Sequence, residues 1–118
     1  MSNSAINFQE LLDRVDNDRQ LLYELFSIFK DEFPGNLARL RDAVTRGELK
    51  EIAKLSHTFK GTLGNLAAAQ AMNSAAHLEQ AARIGQAAQL SAAFADFERD
   101  ANSTLTELET YMAEARPA

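Results

Sequence analysis

The chain has 118 residues, a formal net charge of −5 and no cysteine. One ordinary domain of that length, expected to span residues 1–118, buries enough apolar surface to fold without disulfides or a structural metal. The acidic balance argues against nucleic acid as the main partner, because phosphate binding calls for a basic face. No apolar run approaches the ~20 residues that a membrane span requires, so no membrane segment is expected. Its polar start does not read as a signal peptide, which with the lack of cysteine fits a reducing cytoplasm.

Alanine contributes 21 residues against five glycines and two prolines, and β-branched residues are sparse, a composition that favours helix throughout. A short first helix is expected from about Ala5 to Val15, turning Phe8, Leu11, Leu12 and Val15 inward. Asn17 followed by Gln20 reads as the capped start of a long second helix. That helix should bury Leu21, Leu22, Leu25, Phe29, Phe33, Leu37, Leu40 and Val44, with a bend near Phe33 where Pro34 removes a donor. Gly47 stands just past its last apolar position, as a C-terminal glycine should.

A third helix is expected over about Leu49 to Leu66. A fourth, from about Ala69 to Ile84, aligns Ala71, Ala75, Leu78 and Ala82, with Gly85 beyond it. The fifth, from about Ala88 to Ala113, aligns Leu90, Phe94, Phe97, Ala101, Leu105, Leu108 and Met112 into one stripe. Connections of a few residues force neighbours antiparallel. The expected fold is therefore all-α: an antiparallel four-helix bundle with the short N-terminal helix capping one end. Residues 1–4 and 116–118 should fray. The phenylalanines Phe26, Phe29, Phe33, Phe94 and Phe97 read as core, not as a cofactor pocket.

The third helix carries the residue of most interest. Wound at roughly 100° per residue, Ile52, Leu55, Ser56, Phe59, Thr62, Leu63 and Leu66 gather on one side. His57 lies roughly 200° from the middle of that side and so points to water. Lys50, Ala53, Lys54, Lys60, Gly61, Gly64 and Ala68 share its side. Two glycines inside a helix cost on the order of 2 kcal/mol relative to alanine. Keeping both beside a histidine suggests a surface that another molecule approaches closely, although glycines also permit tight helix–helix packing. His77, on the edge of the fourth helix's apolar face, reads as structural or exposed. Two histidines on different helices offer no metal site.

The string His57-Thr58-Phe59-Lys60-Gly61, followed by Asn65-Leu66 and by Leu78-Glu79-Gln80-Ala81-Ala82-Arg83, resembles the histidine-containing phosphotransfer (HPt) domains of bacterial multistep phosphorelays. Phe26, Phe29, Phe33 and Pro34 look like that family's aromatic second helix. Gly47-Glu48-Leu49 looks like its turn into the histidine helix. The resemblance implies that His57 accepts a phosphoryl group from a phosphoaspartate, on the ring nitrogen farther from the backbone. It would then pass the group to another receiver aspartate, as a phosphocarrier without turnover of its own. The implied partners are receiver domains of a hybrid sensor histidine kinase and of a response regulator, with Mg²⁺ on the receiver and no cofactor on this chain.

Within that resemblance Lys60 would offset the phosphate charge. Gly61, Gly64, Ala53 and Ala68 would form a close-approach docking face, and Lys50 and Lys54 would either contact the partner or remain solvated. Glu79 resembles a frequent family residue, though alone it reads equally as a surface carboxylate. Two positions depart from the pattern. Ala67 stands where glycine usually closes the histidine helix: either a left-handed alanine there costs about 1 kcal/mol, or the helix runs on slightly differently. Leu63 replaces a smaller residue and should face inward. A core that closes within one chain makes a cytoplasmic monomer the expectation.

Overall fold

The computed structural model describes residues 4–114. Five helices follow one another: α1 (Phe8–Arg14), α2 (Arg19–Arg46), α3 (Leu49–Asn65), α4 (Ala69–Ile84) and α5 (Ala87–Glu114). Helices α2, α3, α4 and α5 pack in a ring, each against the next and α5 back against α2, while α1 lies against α2. Two- or three-residue connections between these four turn each helix back on its predecessor. The ends expected to fray lie outside the described residues, apart from Ser4.

Helix lengths explain why a capping helix is needed. With a rise of roughly 1.5 Å per residue, the 28-residue α2 and α5 outrun the 17-residue α3 and 16-residue α4 by more than a dozen ångströms. Helix α1 covers the apolar surface left over. Phe8 stacks on Tyr111 of α5 at a centroid distance of 5.0 Å and meets Phe26 of α2 edge-on at 6.2 Å. A second aromatic chain runs Phe29–Phe33–Phe59–Phe97 and joins α2, α3 and α5 through the middle of the bundle. Between α4 and α5, Ser74 donates to the buried carboxylate of Asp100, whose other oxygen takes Arg99 Nε at 3.2 Å.

The helix ends follow their local chemistry. Asn7 accepts from Glu10 N at 3.1 Å, so α1 starts at Phe8, later than expected. Ala5 and Ile6 form a bend against α5 instead, their backbone N–H groups donating to the Glu107 carboxylate. The cap of α2 is Asp18, not Asn17: Asn17 takes a left-handed φ of 61°, and Asp18 accepts from Leu21 N at 2.9 Å. Gly47 and Gly85 close α2 and α4 with φ of 67° and 80°, as a left-handed C-terminal position favours. Pro34 is exposed and α2 runs through it.

Two positions on α2 correct the sequence reading. Leu21 and Leu25, expected in the core, are exposed. Ile28, on which the sequence reading was silent, is exposed as well. The buried face of α2 instead follows Leu22, Phe26, Phe29, Phe33, Leu37 and Leu40. An apolar wheel alone cannot tell which edge of a wide stripe meets a neighbour. Here Leu25 and Ile28 overhang α3 and, with Phe29, Thr62 and Leu66, line an open groove of about 440 Å³.

Candidate functional site

Helix α3 is held on two sides, by α2 and by α4, and His57 projects from what remains. Ile52, Leu55, Ser56, Phe59 and Leu63 are buried, as their angular positions require. Thr62 is exposed at the border, its hydroxyl donating to Thr58 O at 3.1 Å. The His57 side chain is 64% exposed. The end of α3 is fixed by α1, because Arg14 donates to Gly64 O at 3.1 Å and supplies the cation that the last turn of α3 lacks. Ala67 has a left-handed φ of 54°, so the conformation usually given to glycine is kept with alanine in place. Its carbonyl accepts Asn7 N at 3.0 Å, and Ala68 N donates to Leu63 O at 2.9 Å, closing the helix.

One ring nitrogen is engaged. Nδ1 of His57 lies 3.2 Å from Oε2 of Glu79, which reaches across from α4 and is only 8% exposed. Arg83 donates to the same oxygen through Nε at 2.9 Å and Nη2 at 2.6 Å. Lys60 Nζ sits 2.9 Å from the other oxygen. Burial pushes the Glu79 carboxyl up, but the hydrogen bonds and charges of Lys60 and Arg83 outweigh it and hold the group at about 2 instead of 4.5. Glu79 is therefore an anion across the physiological range and can only accept. The proton between it and His57 belongs to Nδ1, and the lone pair falls on Nε2.

That arrangement leaves the unshared pair of a neutral ring on Nε2, the nitrogen farther from the backbone. The basic side chains around it make a positive spot on an acidic chain. Lys50, Ala53 and Lys54 of α3 line an open groove with His57, and Ala82 and Arg83 of α4 form its opposite side. Neither Lys50 nor Lys54 pairs with an acid among the described residues, so both are free to meet an anion. A model of the Hpt domain matches residues 24–118. The chain belongs to the Hpt family. No curated protein and no solved structure matches it. The match leaves out α1 and the first turn of α2, the part that caps the bundle and grips the end of the histidine helix.

The residues expected to form a docking face on this Hpt domain do not share one exposed surface. Gly61 is exposed, and a Cβ built there meets nothing within 4 Å. Gly64 is different: a Cβ there would lie 3.1 Å from Met72 Sδ, so this glycine lets α4 approach α3. Ala53 and Ala68 do not belong to an exposed face either, being 8% and 0% exposed. Ala53 forms the floor of the groove beside His57, because α4 closes over that flank of α3. Ala68 lies past the end of α3, in the turn before α4, where the helical angle no longer applies. Lys50 and Lys54 are exposed on the His57 side. Leu63 is fully buried and His77 exposed, both as expected.

Glu79 is the residue the sequence reading undervalued. It is a buried counter-ion, not a surface carboxylate. Its position carried a signal: it lies four residues after Ala75 and three before Ala82, on the flank of the apolar stripe. Arg83 follows at i+4, where a partner on the same helix can reach back. What the spacing along α4 cannot supply is that α3 lays His57 and Lys60 against the same carboxylate.

Proposed function

We propose that this Hpt domain is a phosphocarrier in a phosphorelay. In this reading, His57 takes a phosphoryl group from a phosphoaspartate on one receiver domain and gives it to an aspartate on another. The partners would be receivers of a hybrid sensor histidine kinase and of a response regulator, met by a cytoplasmic monomer. Membership of the Hpt family supports the reading, and so does the absence of any helix among the described residues able to cross a membrane. The observation that carries it is a largely exposed imidazole whose Nδ1 is committed to Glu79 and whose Nε2 has no hydrogen-bond partner among the described residues.

In the forward step the Nε2 lone pair attacks phosphorus and the P–O bond to the aspartyl oxygen breaks, its electrons leaving on the carboxylate. The receiver and its Mg²⁺ supply most of the stabilisation of the transferring group. This chain contributes a fixed nucleophile, the nearby charges of Lys50, Lys54 and Lys60, and an approach cleared at Gly61. The apolar overhang of Leu25 and Ile28 beside α3 supports a docking contact on the α2 side. A panel of phosphorylated receivers tests the reading. Acid-labile, alkali-stable label should appear on the wild type and vanish in His57→Gln with helicity intact. Undiminished labelling of that variant would remove His57 from the role, and binding without any labelling would leave an adaptor.

A further inference from the structure

The first half of α2 segregates its charges around the helix. Its cations turn towards α5, where Arg19 Nη1 lies 3.5 Å from the Tyr111 hydroxyl and Lys30 Nζ 3.8 Å from Glu109. The opposite flank carries the exposed apolar row Leu21, Leu25 and Ile28, spaced i, i+4 and i+7. Glu24, Asp31 and Glu32 border that row and are exposed as well. None of the three pairs with a cation among the described residues, and Glu24 takes only the Gln20 amide at 3.3 Å.

We propose that this row is a recognition surface for a basic, apolar-faced helix, and that Glu24, Asp31 and Glu32 select the receiver by charge. The inference deepens the phosphocarrier reading and rests on it for the partner's being a receiver. The charge preference of the surface is testable on this chain alone. A helix laid along α2 would set its apolar side chains over Leu25 and Ile28 and its lysines or arginines against the acidic border. On the α3 side this end of the groove is walled by Thr62, Asn65 and Leu66, which bring no charge.

The face changes sign along its length. About 20 Å along α2 from Leu25, at roughly 1.5 Å per residue, stands Arg39, with Lys54 of α3 across from it. Arg39 is shared with Glu51 at 3.6 Å, whereas Lys54 and the neighbouring Lys50 are unpaired beside His57. A partner's phosphoaspartate and the carboxylates that hold its Mg²⁺ belong at this cationic end. Its basic helix then belongs at the acidic end, and the reverse orientation would set like charges together at both ends. Other occupants fit worse. A second copy seated on the same row would crowd Glu24, Asp31 and Glu32 against their own counterparts, and an anionic lipid surface would be repelled by them.

The first test needs no receiver. Two synthetic helical peptides share leucines at i, i+4 and i+7 and differ in having lysines or glutamates beside them. Each is titrated into the ¹⁵N-labelled full chain. The lysine peptide should move the amides of residues 21–32 and bind at least about tenfold tighter than the glutamate peptide at low salt, a margin that shrinks as salt rises. In the triple variant Glu24→Lys, Asp31→Lys, Glu32→Lys the preference should reverse with helicity intact, because all three side chains are exposed. Equal affinities in the wild type, or shifts away from α2, would overturn the proposal. So would a dimer of the free chain that Ile28→Lys dissolves. Should the triple variant unfold, the wild-type peptide pair still decides. The second test uses the receiver that labels the wild type fastest in the panel. The triple variant should slow transfer about tenfold at subsaturating receiver and stay within about twofold at saturation, since these acids act in docking and do not touch phosphorus. Wild-type rates in that variant would overturn selection of the receiver by these acids. If the lysine peptide is preferred and no receiver labels the wild type, the phosphocarrier reading fails and the charge preference of α2 stands.

Discussion

Gly61→Ala and Gly64→Ala make the same chemical change, three residues apart on one helix, and should behave differently. In the interior of a helix, replacing glycine by alanine removes backbone freedom from the unfolded chain and is worth about 0.8–1.0 kcal/mol. At Gly61 the added methyl enters open space, so the gain should be realised in full. At Gly64 it would press on Met72 Sδ at 3.1 Å, and the thioether must shift by a few tenths of an ångström. Crowding of that kind costs about 1 kcal/mol even where a flexible methionine absorbs part of it, so the net change should be near zero. Urea denaturation with an unchanged slope should therefore place Gly61→Ala about 1 kcal/mol above wild type, roughly a 4 °C rise in Tm, and Gly64→Ala close to it. A larger side chain separates fold from function: Gly61→Gln should stay at least as stable as wild type while transfer from a receiver slows at least about tenfold, the loss of ~1.4 kcal/mol of docking. Loss of stability in Gly61→Ala, or wild-type transfer by Gly61→Gln, would refute Gly61 as the cleared approach.

Three further outcomes are expected. Glu79 is held at about 2 in the fold against its usual 4.5, so its contribution is complete above 4.5 and is lost as pH falls towards 2. Solvent screening at the half-exposed Lys60 and Arg83 reduces this contribution to about 1–2 kcal/mol, and Glu79→Gln should flatten that part of the acid denaturation curve. Ser56 Oγ is buried without a hydrogen-bond partner, so Ser56→Ala should leave the protein unchanged or more stable by about 1 kcal/mol in thermal melts. Ile28→Lys, at a side chain 56% exposed, should stay within about 0.5 kcal/mol of wild type in stability yet weaken receiver binding in a titration.

Much of the protein was legible in its amino-acid order. Helix spans, the glycine stops at Gly47 and Gly85 and the outward throw of His57 are consequences of local dihedral preference and a 3.6-residue period, which act within one segment. The same is true of the buried Leu63, whereas the left-handed turn at Ala67 runs against alanine's own preference. Local reasoning failed where a second helix intervened. Ala53 and Gly64 sit on the His57 side of α3 by angle, but α4 covers that flank, so one is a groove floor and the other a packing contact. Leu21 and Leu25 belong to an apolar stripe wider than the space α2 has to fill, and the surplus faces water. Glu79 is the clearest case. Its sequence neighbours show a carboxylate at the edge of an alanine seam. Its role as the acceptor for Nδ1 exists only because the bundle closes α3 and α4 on each other and gathers His57, Lys60 and Arg83 around one desolvated charge. The sequence by itself thus determined which histidine stands outward and on which helix it sits. Which nitrogen is free to react was decided by the tertiary structure, because a proton's place depends on groups that only folding brings within hydrogen-bonding distance.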